Sequence, residues 1–168
     1  MNEIQSPSAC REQYEISTIR HRLNLEFIHG YLRRAYWSPG VPREVVARSI
    51  AHSLPFGVYT RTGEQVGFGR AVTDRSTFAY LGDVFVIEEH RGRGLGVWLI
   101  ESMLAHPWLQ GLRRIYLVTA DAHSLYTRFG FRTVAKAVNC LELVRSPEGL
   151  WGGLPRGEQA HDDSLGPG

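Results

Sequence analysis

The chain lacks the features that mark several classes of protein. Two cysteines in 168 residues are too few for a disulfide framework, and Cys10 and Cys140 lie too far apart for a CxxC metal or redox site. No apolar run approaches the roughly 20 residues of a membrane span, and residues 1–11 contain no apolar segment typical of a signal peptide. We therefore expect a reduced, cytoplasmic domain with no metal site and no membrane contact.

An excess of charge of one sign is also absent. The 19 basic and 17 acidic residues leave a net charge of +2, whereas nucleic-acid-binding domains usually present a basic face. Lysine is nearly missing, because Lys136 is the single lysine among the basic residues. The arginine preference fits bidentate phosphate contacts or, more simply, a GC-rich coding sequence. We expect no nucleic-acid partner.

Length and composition predict one folded domain with tails. The hydrophobic fraction of 43% and the charged fraction of 21% are typical of globular proteins. Residues 1–15 show no clear period and predict an N-terminal tail or an early strand. Residues 16–145 form the predicted domain. Residues 146–168 are rich in glycine, proline and polar side chains, which predicts a flexible C-terminal tail.

The order of elements predicts an α+β fold. Asn24 can cap a first helix, and Pro42 is a favourable start for a second. The pattern then changes to short strands at residues 56–60, 65–73, 78–87, 115–119 and 134–144, with helices near 95–103 and 123–129. Helices, antiparallel hairpins and then alternating strands and helices predict a mixed sheet flanked by helices.

The most informative segment is LGDVFVIEEHRGRGLG, residues 81–96. A predicted buried strand runs into a glycine-rich turn, residues 91–96, from which an amphipathic helix begins. Backbone N–H groups and the dipole at a helix N-terminus attract anions, and missing Cβ atoms let a phosphate approach the backbone. We call residues 91–96 the phosphate turn. Its predicted ligand contacts are Arg91, Gly92, Arg93, Gly94, Leu95 and Gly96.

The glycine pattern excludes two common phosphate motifs. GxxxxGK[ST] is absent, and GxGxxG fails because Leu99 stands where the third glycine is required. Arg91, Gly94 and Gly96 instead form Arg-x-x-Gly-x-Gly directly after a strand, which resembles the acetyl-CoA signature of the GNAT superfamily of N-acetyltransferases. Residues 119–131, TADAHSLYTRFGF, resemble the family's short helix with a tyrosine before Gly-Phe. The resemblance covers about residues 22–144. The alternatives are a plain strand-to-helix turn or a fragment of an RNA-binding RG tract, which would lie in low-complexity sequence.

The resemblance implies a fold and a cosubstrate. We expect a GNAT-like mixed sheet with acetyl-CoA in a splay, the gap where two central parallel strands diverge. The backbone of Val84, Phe85 and Val86 would pair with the pantetheine arm as an added strand would. The phosphate turn would hold the diphosphate.

The resemblance also implies direct acetyl transfer to a primary amine of a small molecule or peptide. Tyr126 matches the family's general acid, although a packed aromatic is the alternative. Strand alternation puts Asp83 on one face with Leu81 and Phe85, where a carboxylate serves as a base or pairs with an arginine. His123 is a second candidate base, or a cap or surface group.

Several points stay open in the sequence. Many family members carry an asparagine seven residues before the tyrosine, where this chain has Thr119. The Thr119 hydroxyl could replace it, or Asp121 could cap the helix. Tyr31, Tyr36 and Trp37 either line the acceptor pocket, as the first helices do in this superfamily, or pack in the core. The alternative function is a CoA-binding sensor or scaffold without turnover, and a homodimer is compatible with either.

Overall fold

The computed structural model describes residues 12–151, and within them five strands form one sheet in the order β1-β2-β3-β4-β5. Strands β1 to β4 pair antiparallel, and β5 pairs parallel to β4. The mixed sheet expected from the sequence is therefore confirmed. The strands are β1 (Tyr14–Ser17), β2 (Leu54–Thr60), β3 (Gln65–Thr73), β4 (Phe78–Val86) and β5 (Arg114–Tyr116).

The helices begin where their capping residues predict. Asn24 caps α1 by accepting the N–H of Phe27 on its side-chain oxygen at 3.0 Å. Pro42 directly precedes α2, and Gly94, in the left-handed region, precedes α3. The helices are α1 (Leu25–Leu32), α2 (Arg43–Ala51), α3 (Leu95–Ala105), α4 (His123–Thr127) and α5 (Pro147–Trp151).

Helices cover both faces of the sheet and create two apolar cores. On one face, α3 buries Leu95, Leu99, Ile100 and Met103 against the strands. On the other face, α1 and α2 pack on Phe68 of β3 and Phe85 of β4, burying Ile28, Leu32, Val46 and Ile50. Because both faces are covered, β2 is buried along nearly its whole length.

A β-bulge interrupts β4 (a local insertion of one residue). Phe85 pairs with Phe68 and Gly82 with Arg70, so two residues of β4 stand opposite one of β3. Asp83 takes up the irregularity with a φ of 55°. Leu81 consequently packs in the α3 core and Phe85 in the α1–α2 core. The prediction that one face carries Leu81, Asp83 and Phe85 is wrong, because the extra residue reverses the alternation.

The last predicted strand is absent from the described residues. Residues 134–144, which we call the C-terminal arm, contain only the 3-10 turn Ala137–Asn139 and no strand pairing. The strand prediction for this arm is wrong, since apolar and β-branched residues need a partner edge to form a strand. β5 is also shorter than the predicted 115–119. Among residues 12–151 it pairs only with β4.

The ends of the predicted domain fall close to described elements. β1 begins at Tyr14, inside the interval predicted as a tail or early strand, and α5 (Pro147–Trp151) lies inside the predicted C-terminal tail. Residues 1–11 and 152–168, which make up most of both predicted tails, lie outside the described residues. The described helices include none that is long and apolar enough to cross a bilayer.

Candidate active site

The site lies where β4 and β5 separate. The two strands pair only over Phe78–Tyr80 and Arg114–Tyr116. Beyond this short ladder β4 continues for six residues with no partner on its β5 side among the described residues. The bulge at Asp83 lies within that unpaired stretch. A gap therefore opens between the carboxyl ends of two parallel strands, as the sequence led us to expect for the fold.

A cavity of about 570 Å³ occupies this region. Its walls come from the loop after α1, from α2, from β3 and β4, from the loop after β5 and from α4. Valine and leucine side chains form much of the lining, among a few polar groups. The charged and aromatic side chains in the lining include Tyr36, Trp37, Arg70, Asp83, Asp121 and Tyr126.

The phosphate turn has free space beside its glycines. Gly92 and Gly94 have φ values of 75° and 77°, in the left-handed region where other residues are strained. A Cβ atom at either position would meet nothing within 4 Å. Within residues 12–151 the backbone N–H groups of residues 92–96 donate to no protein acceptor. Free donors at the N-terminus of an eleven-residue helix fit an anion such as a diphosphate.

Arg91 fastens the phosphate turn to the rest of the fold. Its Nε donates to the carbonyl oxygen of Val86 at 2.9 Å, and its Nη2 donates to the Tyr31 hydroxyl at 3.1 Å. The Tyr31 ring stacks on Phe85 with centroids 3.7 Å apart and planes 4° from parallel. Tyr31 therefore packs and anchors rather than lining the cavity. Arg93 lies on the same turn and is half-buried.

Tyr126 is the buried tyrosine of the cavity. It lies on α4, only 8% exposed, with the Phe131 ring edge-on at 5.8 Å. Burial, assisted by Tyr36, Asp121 and Tyr80, raises the pKa of Tyr126 to about 12. The hydroxyl is therefore protonated at neutral pH and can donate a hydrogen bond into the cavity.

Asp83 meets an arginine in the cavity wall. The Asp83 carboxylate accepts a hydrogen bond from Arg70 Nε at 2.5 Å, and the two side chains are 13% and 19% exposed. The ion pair joins β4 to β3 at the bulge. Arg70 lies 13 residues before Asp83, and the bulged register brings the two side chains together.

The loops on opposite sides of the cavity are tied by one tyrosine. The Tyr36 hydroxyl accepts the Ala120 N–H at 3.1 Å and donates to Asp121 Oδ1 at 3.4 Å. Thr119 Oγ1 accepts the Ala122 N–H at 3.0 Å and so fixes the turn that leads into α4, whose N-cap is Ala122 with no side-chain capping hydrogen bond from Thr119 or Asp121. Tyr36 also packs edge-on against Trp37 at 4.9 Å.

Other residues line the cavity although nothing in the sequence predicted that they would. Val45 and Val46 approach from α2, Tyr80 from β4, and Trp151 from the segment predicted as a tail. Only the arrangement of the sheet could have identified them. His123, in contrast, is exposed and does not line the cavity. No group of three or more His, Cys, Asp or Glu side chains within residues 12–151 is arranged to hold a metal ion.

A mixed sheet that splays between its two parallel strands, with a glycine-rich turn at the start of the next helix, is typical of acyl-group transferases. The model of the acetyltransferase (GNAT) family matches residues 16–131, and the chain belongs to that family. It is accordingly an acetyltransferase by family and fold.

Relatives agree with this assignment. A GNAT-family protein of Xanthomonas campestris pv. campestris, described as an inferred acetyltransferase, has a crystal structure at 1.40 Å and is 44% identical in sequence to this chain. The two structures match over 83% of this chain and 97% of that chain, with a TM-score of 0.77. The inferred acetyltransferase FG08082 of Gibberella zeae is 32% identical over 148 residues, which cover 75% of this chain and 82% of that protein. A protein of Clostridium acetobutylicum that is described as an inferred acetyltransferase and was solved with acetyl-CoA shares the fold at 12% identity, with 78% and 94% of the two chains covered and a TM-score of 0.57.

Proposed function

We propose that the protein is an acetyl-CoA-dependent N-acetyltransferase acting directly on a primary amine of a small molecule or peptide. The observation that carries this proposal is the splay itself. The unpaired stretch of β4 begins in the wall of a cavity that contains Tyr126 and leads along the chain to the free donors of the phosphate turn. A single ligand with a diphosphate at one end and a reactive thioester at the other fits both ends.

The cosubstrate would be held largely by backbone. The N–H groups of residues 92–96 bind the diphosphate, and the unpaired edge of β4 near Val84 and Phe85 pairs with the pantetheine arm. The Val86 carbonyl already accepts a hydrogen bond from Arg91, so Val86 contributes less to this pairing. When bound, acetyl-CoA supplies the activated acetyl group.

Tyr126 serves as the hydrogen-bond donor and general acid for the departing thiolate. Its pKa of about 12 lies above that of a free thiol, about 8.5. Burial disfavours every anion in the cavity, however, and therefore raises the pKa of a buried thiol as well as that of the phenol. A donor that stays protonated in the ground state can give its proton as negative charge develops on sulfur.

Asp83 acts as a positioning residue. Its carboxylate is engaged by Arg70, and the pair connects the two strands where the bulge turns β4 away from regular pairing. The ion pair thus favours arginine pairing, one of the two roles that the sequence leaves open, over proton abstraction. Holding the bulge keeps the unpaired edge of β4 aimed into the splay.

The acceptor is an amine with an apolar portion. Val41, Val45 and Val46 form one wall of the cavity, and Tyr36 and Trp37 contribute aromatic faces. Apolar walls reward burial of a hydrocarbon or aromatic group, and aromatic faces attract a cationic amine.

Ligand stabilisation tests the cosubstrate assignment. At 100 times its Kd, acetyl-CoA should stabilise the folded state by about 2.7 kcal/mol, or about 5–10 °C in Tm. ATP and NAD serve as controls because each carries adenosine with two or more linked phosphates but no pantetheine. An equal shift with ATP or NAD contradicts the assignment.

Turnover is tested separately by free-thiol release from acetyl-CoA across a panel of amines. The panel pairs each apolar amine with a polar amine of similar size. Release with the apolar members supports the proposed acceptor class. A Tm shift without thiol release for any amine supports the alternative, a CoA-binding sensor or scaffold.

A further inference from the structure

Arg70 lies in the wall of the cavity, and the fold uses only part of its guanidinium group. The side chain is 19% exposed, and its Nε donates to the Asp83 carboxylate. Its Nη1 and Nη2 donate to no acceptor in the part of the chain that the structure describes. Among those same residues, the Tyr59 hydroxyl is the single fully buried side-chain polar atom without a partner, so both Nη atoms remain accessible. Arg70 therefore offers four unused N–H donors to a ligand of the cavity.

The unused donors of Arg70 suit a carboxylate. The two Nη atoms of the planar guanidinium present parallel N–H groups at the spacing of two carboxylate oxygens. Asp83 binds the third nitrogen, which fixes the plane of the group and balances its charge. A pair without net charge favours a carboxylate, which carries one negative charge, over a phosphate, which carries two. Charge-assisted hydrogen bonds to the carboxylate would then satisfy donors that are poorly solvated in the cavity wall.

Asp121 gives another part of the lining an attraction for cations. It is the second carboxylate among the lining residues and forms no ion pair within residues 12–151. Its Oδ1 accepts only long hydrogen bonds, at 3.4 Å from the Tyr36 hydroxyl and at 3.5 Å from the Thr119 hydroxyl. After burial, Tyr36 and Asp121 contribute most to the raised pKa of Tyr126. An ammonium group attracted by Asp121 therefore lies near the Tyr126 hydroxyl.

Tyr80 connects the surroundings of Arg70 with those of Tyr126. Arg70 pairs with Gly82 in the sheet register, and a Cβ atom on Gly82 would meet the Tyr80 ring at 3.1 Å. Tyr80 also contributes to the raised pKa of Tyr126, for which burial is the main cause. The anion-binding and cation-attracting groups therefore belong to one stretch of the cavity wall, and a single small molecule can contact both.

We propose that the acceptor is an amino acid with an apolar side chain, whose carboxylate binds Arg70 and whose ammonium group lies near Asp121 and Tyr126. The valine wall of the cavity and Trp37 contact the apolar side chain of this acceptor. The inference rests on the proposed function, because it specifies the acceptor of that reaction. Arg70 is then a specificity-determining residue, since it separates amines that carry a carboxylate from amines that do not.

Acetyl transfer to such an acceptor needs no group beyond those already described. The ammonium group loses one proton to solvent past the exposed Asp121, and the neutral nitrogen attacks the thioester carbonyl. The carbon–sulfur bond breaks, and the departing thiolate takes the proton of Tyr126. The nitrogen then gives its second proton to the Tyr126 phenolate, which restores the tyrosine and leaves an N-acetyl amino acid and CoA.

Thiol release with matched acceptors tests the proposal. Phenylalanine is compared with phenethylamine, and leucine with isopentylamine, because each amine is its amino acid without the carboxylate. We expect kcat/KM of the wild type to favour the amino acids by about 10–100-fold, the worth of charge-assisted hydrogen bonds to a carboxylate. Arg70→Gln should lose this preference. Asp83→Asn is the matched control, because it breaks the same ion pair but keeps the guanidinium group, and it should keep the preference.

Calorimetry with hydrocinnamate tests the carboxylate site without turnover, because this compound keeps the phenyl group and the carboxylate but has no amine. It should bind the wild type and Asp83→Asn, and it should bind Arg70→Gln at least about 10-fold more weakly. A wild type that prefers the amines without a carboxylate overturns the proposal, as does unchanged hydrocinnamate affinity in Arg70→Gln. Hydrocinnamate binding that depends on Arg70, without thiol release for any amine, supports the carboxylate site but contradicts the proposed function.

Discussion

The turns at the two ends of β4 differ in where their backbone N–H groups find partners. Before β4, Asp74 Oδ1 accepts the N–H groups of Ser76, Thr77 and Phe78 at 2.9, 2.8 and 3.1 Å. After β4, the N–H groups of residues 92–96 donate to no acceptor among the described residues. One turn is satisfied by its own side chain, and the other is available to an anion. Substitutions in the turn before β4 should therefore change stability. Substitutions in the phosphate turn or in the cavity should change ligand binding or the rate of the reaction.

The largest expected effect comes from Tyr126→Phe in the cavity. The change keeps the ring and its packing against Phe131 but removes the transferable proton. We expect kcat to fall by about 10²–10⁴-fold with little change in acetyl-CoA affinity, measured by thiol release and calorimetry. Tyr80→Phe is the matched control, because Tyr80 lines the same cavity. A Tyr126→Phe enzyme as active as wild type contradicts the acid assignment.

The pH dependence of kcat sharpens this test. Burial raises the pKa of Tyr126 to about 12, so its proton is retained well above neutral pH. We expect no fall in kcat from loss of this proton between about pH 8 and about pH 10. A descending limb in that range that disappears in Tyr126→Phe would show that the tyrosine titrates lower than its burial implies.

The second effect in size is the loss of ligand stabilisation in Gly94→Val. The new side chain occupies the space beside the phosphate turn and disfavours the φ of 77°. The acetyl-CoA shift of about 5–10 °C should disappear. Gly63→Val is the matched control, because Gly63 has a φ of 89° and equally open space but lies in the β2–β3 turn. It should lose stability yet keep the shift, and a retained shift in Gly94→Val would exclude the turn as the diphosphate site.

Asp83→Asn should have a smaller effect, mainly on stability. The substitution breaks the ion pair and leaves Arg70 without its charged partner, which should lower the free energy of unfolding by about 1–3 kcal/mol. Denaturant unfolding measures this loss, and Arg70→Gln should reproduce it. A normal Tm with a kcat that recovers only at high pH would instead identify Asp83 as the base.

Asp74→Ala should have the smallest effect and one confined to the fold. We expect a lower Tm and an unchanged acetyl-CoA shift, both measured by thermal scans. Hydrogen bonds from Thr77, Ser76 and Phe78 hold the pKa of Asp74 below its usual range. A lowered carboxyl pKa stabilises the folded state above the unfolded value of about 3.9 and loses that contribution as pH falls. The wild type should therefore lose more Tm on acidification below about pH 4 than the variant does.

Local signals in the sequence predicted local features well. Asn24, Pro42 and the phosphate turn each act through residues within a few positions of themselves, and the structure has the helix starts where these residues indicate. The bulge at Asp83 could not be predicted in this way, because its register is set by pairing with β3. The same holds for Arg70, whose approach to Asp83 depends on that register.

The outer parts of the site and sheet were predicted least well. Trp151 reaches the cavity from a segment whose composition indicated a tail. The C-terminal arm has the composition of a strand but pairs with nothing among the described residues. In both cases the outcome depends on which surfaces the rest of the fold leaves available, and a pattern along the chain does not contain that information.

The bulge also limits which insertions and deletions β4 can accommodate. Since it reverses the alternation of β4, it directs Leu81 and Phe85 into different cores. Deleting one residue between these two positions would turn a side chain from one core toward the other and would separate Arg70 from its carboxylate. We therefore expect a change of length to be tolerated in the β2–β3 turn around Gly63, where an added Cβ meets nothing within 4 Å, and to destabilise the fold within β4. The spacing of residues 81–85 is thus a requirement of the fold that does not depend on which side chains occupy it.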